Sequence, residues 1–257
     1  MGQGGQVGRM RWAASVACAM LALATAVYAL SGVPQSSTDP PASPPRPAPP
    51  TRPAPPTRQK AEPRLFDPQN LGFFEQPDRN QWQKPDQIMD ALRIADSDVV
   101  AEIGAGGGWF TIRLSRRVGQ NGLVLAEDIQ LPVFEALKRR VQNEGLVNVQ
   151  TVLGTATDPR LPAGRLDAAL IVAVYHEMED PVALFENVAL ALKPTGCIGV
   201  VDFTAGGGGP GPDPSERVDP EAVIRTAIAA GLKLNKREAL PPFQYLLVFG
   251  KTDSACR

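Results

Sequence analysis

Asp98-Val-Val-Ala-Glu-Ile-Gly-Ala-Gly-Gly-Gly-Trp-Phe110 decides how this chain of 257 residues folds. A short, β-branched apolar run ends in an acid, turns through clustered glycines and resumes with helical periodicity. That order predicts a buried parallel strand, a glycine loop and a helix. Glycines at positions 104, 106 and 108 let the main chain approach a ligand where a Cβ would clash. The start of the next helix adds backbone donors at the same place. A nucleotide-like ligand is the expectation.

Two common nucleotide fingerprints do not fit. The dinucleotide pattern G-x-G-x-x-G requires a third glycine for close helix–strand packing. Counting from Gly104 puts Trp109 in that slot, and counting from Gly106 puts Thr111 there. No Gly-Lys-Ser/Thr follows, so a triphosphate loop is not indicated. What stands is E-x-G-x-G-x-G, with Glu102 inside the strand end. This resembles motif I of the class I S-adenosylmethionine (SAM)-dependent methyltransferases. Their ligand has a cationic amino-acid end and no phosphate, so an acid such as Glu102 suits it and would repel a pyrophosphate.

Residues 122–129 read as a second buried strand ending in carboxylates. An acid about 20 residues past a glycine loop can accept hydrogen bonds from two ribose hydroxyls. Asp128 matches the family's acid at this point, and Glu127 is the alternative. Residues 149–158 form a third strand and its turn, which in the family holds the adenine. Asp158 is placed there by the resemblance, although Asp-Pro is also an ordinary turn initiator. The resemblance adds Gly104, Ala105, Gly106, Gly108, Ile129 and Ala156 as neighbours of the cofactor.

Residues 167–174 form a fourth buried strand, and Tyr175-His176-Glu177 follows at its carboxyl end. The family puts catalytic or substrate-facing residues here, and the Tyr-His-Glu triplet resembles a subgroup akin to the ubiquinone/menaquinone and type 11 methyltransferases. His176, the only histidine of the chain, reads either as a general base oriented by Glu177 or as a cap that moves no proton. Tyr175 is a weaker candidate because an unperturbed phenol titrates too high. Among the aromatics, Trp109, Phe110, Phe73, Phe74 and Trp82 are candidates for a closed apolar pocket. Phe110 and Leu114 sit one helical turn apart and read as core.

Strands are expected near 98–103, 122–127, 148–153, 167–174, 197–203, 232–238 and 243–250. Helices are expected near 85–95, 109–118, 132–144, 181–192 and 220–230. Asp180-Pro181 and Asp219-Pro220 each present a cap followed by proline at the first helical position. The alternation indicates an α/β fold with a doubly wound, seven-stranded, mostly parallel sheet. The last two strands are joined too tightly for a crossover and should pair antiparallel.

Three segments follow from composition: a signal or membrane-anchor segment at 1–31, a Pro-rich linker at 32–64 and the catalytic domain at 65–257. Arg9 and Arg11 precede an uncharged run, Trp12 to Leu30, long enough to span a bilayer. That bias directs the domain to the extracytoplasmic side, and the cytoplasmic face is the alternative because SAM is made in the cytosol. A net charge of −1 gives no electrostatic footprint for nucleic acid. One histidine and three scattered cysteines suggest neither a metal site nor a disulfide framework. The glycine- and proline-rich stretch 205–214 reads as flexible and without recognition side chains. The resulting expectation is SAM-dependent methyl transfer to a small-molecule or lipid-like acceptor. The alternatives are a non-catalytic SAM or nucleotide-binding module and an NAD(P)-dependent oxidoreductase.

Overall fold

A computed structural model describes residues 68–253. The anchor and linker expectations for 1–31 and 32–64 lie outside the described residues. Among the described residues, no helix is long and apolar enough to cross a membrane.

A 3-10 helix (Pro68–Glu75) and a short helix α1 (Arg79–Gln83) lead into α2 (Pro85–Ala91). The core then alternates: β1 (Val99–Ile103), α3 (Trp109–Val118), β2 (Leu123–Asp128), α4 (Leu131–Asn143), β3 (Val149–Leu153), β4 (Leu166–Val172), α5 (Pro181–Ala191), β5 (Leu192–Phe203), α6 (Pro220–Ala229), β6 (Lys233–Leu240) and β7 (Gln244–Gly250). The strands lie in the order β3-β2-β1-β4-β5-β7-β6. All neighbours are parallel except β7, which is antiparallel to both β5 and β6. The strand order reverses between β1 and β4, so the chain leaves both strands at a crevice where open α/β sheets hold ligands.

The central strands β1, β2, β4, β5 and β7 are buried on both faces, which is why they read as continuous apolar runs rather than alternating ones, whereas β3 and β6 at the edges are largely half-buried or exposed. On one face Ala101, Ile103, Leu125, Ala169 and Ile171 pack with Phe185 and Val188 of α5 and Val223 of α6. On the other, Val100, Val124, Ala168 and Leu170 pack with Phe110 and Leu114 of α3 and with Ile88 and Met89 of α2. The core reading of Phe110 and Leu114 therefore holds. Asp180 and Asp219 cap α5 and α6 through their carboxylates, accepting from Ala183 N and Glu221 N.

Four differences from expectation have local causes. α2 ends at Ala91 because Arg93 turns into the left-handed region (φ 53°) and sends Ile94 back into the core. β5 starts at Leu192, since that residue already pairs with Leu166 before a bulge. Cys197 lies fully buried in β5 and is disulfide-bonded, where the scattered cysteines had suggested no disulfide framework. The stretch 205–214 is seated rather than loose. Its main chain lies on two aromatic rings: a Cβ at Gly209 would come within 2.5 Å of Phe243, and one at Gly211 within 2.5 Å of Phe203. Arg217 ties the stretch down, donating to Pro212 O (3.0 Å) and Thr204 O (3.1 Å). At Gly209 and Gly211 nothing larger fits against the rings.

Trp82 packs beside Phe203, with ring centroids 5.9 Å apart. Gln83 donates to Gln244 of β7 at 2.8 Å. These contacts hold α1 against the sheet.

Candidate functional site

A cavity of about 320 Å³ opens at the carboxyl ends of β1, β2 and β4. Its floor is the glycine loop, 104–107. Gly104 (φ 68°) and Gly106 (φ 56°) hold conformations that L side chains rarely adopt. A Cβ at Gly104 would meet Val174 at 2.6 Å, whereas one at Gly106 would meet nothing within 4 Å and project into open space. Gly106 thus keeps clear a space that any side chain would occupy.

Most of the loop's amides are already paired. Gly104 N–H donates to Glu127 Oε2 (3.3 Å), and Gly106 N–H donates to Asp128 Oδ2 (3.0 Å). Ala105 N–H donates to Glu127 O (2.8 Å), and Gly108 N–H to Ala105 O (3.0 Å). The sequence reading had these groups available to a ligand. Instead, the carboxylates of β2 hold two of them, those of Gly104 and Gly106. What remains for a ligand is bare main chain ringed by acids.

Three of those acids are titratable groups with unusual surroundings. Glu102 is buried in the cavity wall and accepts from Thr111 Oγ1–H at 2.5 Å. Burial pushes its pKa up to about 8, against the pull of the Thr111 hydrogen bond and the nearby Arg79. Burial likewise raises Glu127 to about 8, with the neighbouring Asp128 adding to the rise. Its Oε1 is buried without a hydrogen-bond partner. Asp128 is raised by burial too, but the N–H groups of Gln130 and Gly106 hold its charged form. The Gln130 bond is 2.9 Å, to Oδ1.

Arg79, in α1, was not singled out from sequence. It is buried at the cavity, 4.1 Å above the Trp109 ring, and donates to Gln83 Oε1 at 3.2 Å. Desolvation lowers its pKa to about 10, so it stays charged at neutral pH. Arg113 stacks on Trp109 as well, 3.3 Å from the ring centroid. Glu75, also at the cavity, pairs with Arg140, which donates to Gly107 O at 3.1 Å.

Of the expected site residues, Glu102, Gly104, Ala105, Gly106, Asp128, Ile129, Ala156 and Glu177 line the cavity together. Four do not. Gly108 caps α3 beneath the loop, where a Cβ would meet Leu137 at 2.9 Å. Asp158 is exposed and serves its own turn: its N–H donates to Thr155 Oγ1 and its carboxylate accepts from Arg160 N. Tyr175 is in the core, its hydroxyl donating to Thr226 Oγ1 at 2.8 Å. His176 sits behind Glu177, with Asp202 of β5 on its far side. Trp109 and Phe110 reach the cavity, Trp82 does not, and the side chains of Phe73 and Phe74 are outside the described ones. Among the described residues there is no cluster of three His, Cys, Asp or Glu able to hold a metal.

A family described as "Methyltransferase domain" matches residues 100–196, which span β1 to the start of β5. A nocamycin O-methyltransferase of Saccharothrix syringae is 32% identical over 45% of this chain and 39% of its own length. A ubiquinone/menaquinone biosynthesis C-methyltransferase of Francisella tularensis subsp. novicida is 26% identical over 48% of this chain and 49% of its own. The chain thus spans half or less of the length of these two relatives. Among solved structures, a SAM-dependent methyltransferase from Aquifex aeolicus superposes with a TM-score of 0.69 at 22% identity, covering 72% of this chain and 98% of that one. That likeness establishes the shared fold. SAM, which carries cationic sulfonium and ammonium groups and no phosphate, suits a cavity lined by Glu102, Glu127 and Asp128 and a loop whose Gly104 and Gly106 amides are held by carboxylates. The domain match, the methyltransferase relatives and the common fold together support a class I SAM-dependent methyltransferase domain in this chain.

Proposed function

We propose that this protein transfers a methyl group from SAM to a small-molecule or lipid-like acceptor. The observation that carries the reading is the occupied glycine loop. A pyrophosphate needs free N–H donors, and here carboxylates hold those of Gly104 and Gly106. In this reading Asp128 takes the ribose hydroxyls and Glu102 the ammonium. Arg79 takes the carboxylate of the amino-acid end. Ile129 and Ala156 flank the adenine. The bound cofactor supplies an electrophilic methyl on a sulfonium. The protein's part is to align an acceptor with that methyl in a cavity shielded from water.

Isothermal titration of the full chain with SAM and with S-adenosylhomocysteine tests this directly. Both are expected to bind at a single site, while NADH fluorescence stays unchanged on adding protein. Enhanced NADH emission together with no heat from either adenosyl ligand would overturn the reading.

The segment 1–31 belongs to the same proposal as an anchor or signal that carries the domain to the extracytoplasmic side. Alkaline phosphatase and β-galactosidase fusions after Leu65 report its topology. Active phosphatase with silent galactosidase is the expected pair, and the reverse pair places the domain in the cytosol.

A further inference from the structure

The chain's one histidine stands in a row of acids. His176 Nε2 lies 3.7 Å from Glu177 Oε1, and His176 Nδ1 lies 3.7 Å from Asp202 Oδ2. Exposure falls along the row, from 19% for the Glu177 side chain to 12% for His176 and none for Asp202. Glu177 lines the cavity, and the other two lie behind it. The Asp202 carboxylate is fixed on its other side, where Oδ1 accepts from Phe203 N at 2.8 Å.

Two atoms in this row are conspicuous. His176 Nδ1 and Asp202 Oδ2 are both buried, and neither has a hydrogen-bond partner. A buried polar atom left unpaired costs on the order of 1–3 kcal/mol. Here an unpaired ring nitrogen and an unpaired carboxylate oxygen lie 3.7 Å apart, so a small closure satisfies both. Catalytic hydrogen bonds commonly tighten only once substrate is bound.

We propose that Glu177, His176 and Asp202 form a proton relay leading from the cavity into the sheet, and that the methyl acceptor is an acidic hydroxyl on a planar ring. This deepens the methyltransferase reading above and rests on it. Glu177 is the catalytic residue, because it alone of the three touches the cavity. His176 takes the proton on from it, and Asp202 is a positioning residue that fixes the imidazole through Nδ1. The balance is simple. The acceptor's O–H proton goes to Glu177 and then to His176 Nε2. The freed electron pair on oxygen forms the bond to the methyl carbon, and the electrons of the breaking S–C bond remain on sulfur.

The relay selects the acceptor. A base is required when the nucleophile must lose its proton early, as a phenol or enol does. An amine attacks through its lone pair and sheds its proton afterwards, so it needs no buried relay. The cavity that Glu177 lines also carries Val174, Met178, Leu184 and Ile129, apolar side chains suited to a ring.

The groups that face His176 are Asp202, Glu177 and Glu216. All three raise its pKa, and they outweigh the desolvation that lowers it. Tyr175 and Tyr245 lie near Asp202, and burial holds both neutral.

Because the chain has one histidine, its imidazole can be followed without ambiguity by 1H–15N NMR of the full protein. The wild-type midpoint is expected above the ordinary imidazole value of about 6.5, and Asp202→Asn is expected to lower it by about one unit or more. An unchanged midpoint overturns the relay. The acceptor class is tested with radiolabelled SAM and two probes, catechol, whose hydroxyl is protonated at neutral pH, and benzylamine. The catechol is expected to be methylated and the amine not. Glu177→Gln should lower kcat about 100-fold with little change in KM. Asp202→Asn should move the acid limb of kcat to lower pH. Methylation of benzylamine alone, or SAM binding with no transfer to catechol, overturns the acceptor assignment. If Asp202→Asn fails to fold, His176→Asn removes the relay and leaves both carboxylates, and undiminished kcat in that variant overturns the proposal. Failure of the wild type to bind SAM strikes the methyltransferase reading itself. Binding with an unmoved imidazole midpoint strikes only the relay.

Discussion

Asp128→Ala is expected to weaken SAM binding by about two orders of magnitude, the largest effect on affinity of any single substitution in the cavity. A carboxylate offers about four lone-pair sites. In Asp128 one site on each oxygen is taken, by Gly106 N–H and by Gln130 N–H. Capacity remains for two more donors, which a ribose diol would supply. Hydrogen bonds to a charged group contribute about 1.5–3 kcal/mol each, so losing the pair costs on the order of 3 kcal/mol or more. By the usual conversion that is about a hundredfold in Kd. The alanine has a second consequence. It frees the Gly106 N–H, which then has no carboxylate to hold the loop at φ 56°. Asp128→Asn keeps an oxygen for one of the backbone donors and should fall between the alanine variant and the wild type. Glu127→Gln is the control, since Glu127 was the other candidate for the ribose. Its carboxyl is raised to about 8 and is largely uncharged at neutral pH, so the amide should leave Kd within a few-fold. Titration calorimetry of the three variants separates the two assignments. A Glu127→Gln loss larger than that of Asp128→Ala would transfer the ribose role to Glu127.

The same pair shows what could be read from the sequence and what could not. The turn from apolar strand to glycines to helix is local, and so β1, α3 and the position of Glu102 were legible from residues 98–110 alone. The acid at the end of β2 was legible because parallel register puts Glu127 and Asp128 level with the loop. That the two carboxylates would take the loop's amides was not, since those bonds join residues 22 and 23 positions apart through side-chain geometry. Asp158 was misplaced for a related reason. Asp-Pro makes a turn whether or not a ligand is present, and here the side chain is spent on that turn. Arg79 and Asp202 left no mark that sequence reasoning could use. Arg79 belongs to a five-residue helix too short for periodicity to reveal, and its cavity position depends on α1 docking through Trp82 and Gln83. Asp202 is a single acid inside an apolar strand, and its meaning comes only from His176 in the turn that follows β4. The glycines of 205–214 suggested looseness, but glycine also appears where a backbone must lie flat on a ring, as on Phe203 and Phe243.

Glu102→Gln is expected to stabilise the protein while impairing its ligand binding, and the pH dependence distinguishes the two effects. In the folded state Glu102 is raised to about 8 by burial, from an ordinary value of 4.5. Below the unfolded value both states are protonated, and Glu102 carries no penalty. Between the two values the folded state holds a proton that the unfolded state has released, so stability falls as pH rises. Above the folded value the loss is complete. Glutamine imitates the protonated form and has no such slope. Melting curves for wild type and Glu102→Gln should therefore coincide near pH 4.5 and separate progressively up to about pH 8, with the variant higher. Binding runs the opposite way. To meet an ammonium Glu102 must be ionised, so below about pH 8 SAM uptake by the wild type should release a proton, and Kd should improve by up to about tenfold per pH unit. The gain ends where the ligand's own α-amino group deprotonates, at about 7.7–8.0. Calorimetry in two buffers of different ionisation enthalpy measures the released proton. Glu102→Gln should bind weakly and release none at this site. A variant that melts below the wild type at pH 8, or binds with an undiminished pH slope, would show that Glu102 is neither the buried acid nor the ammonium partner described above.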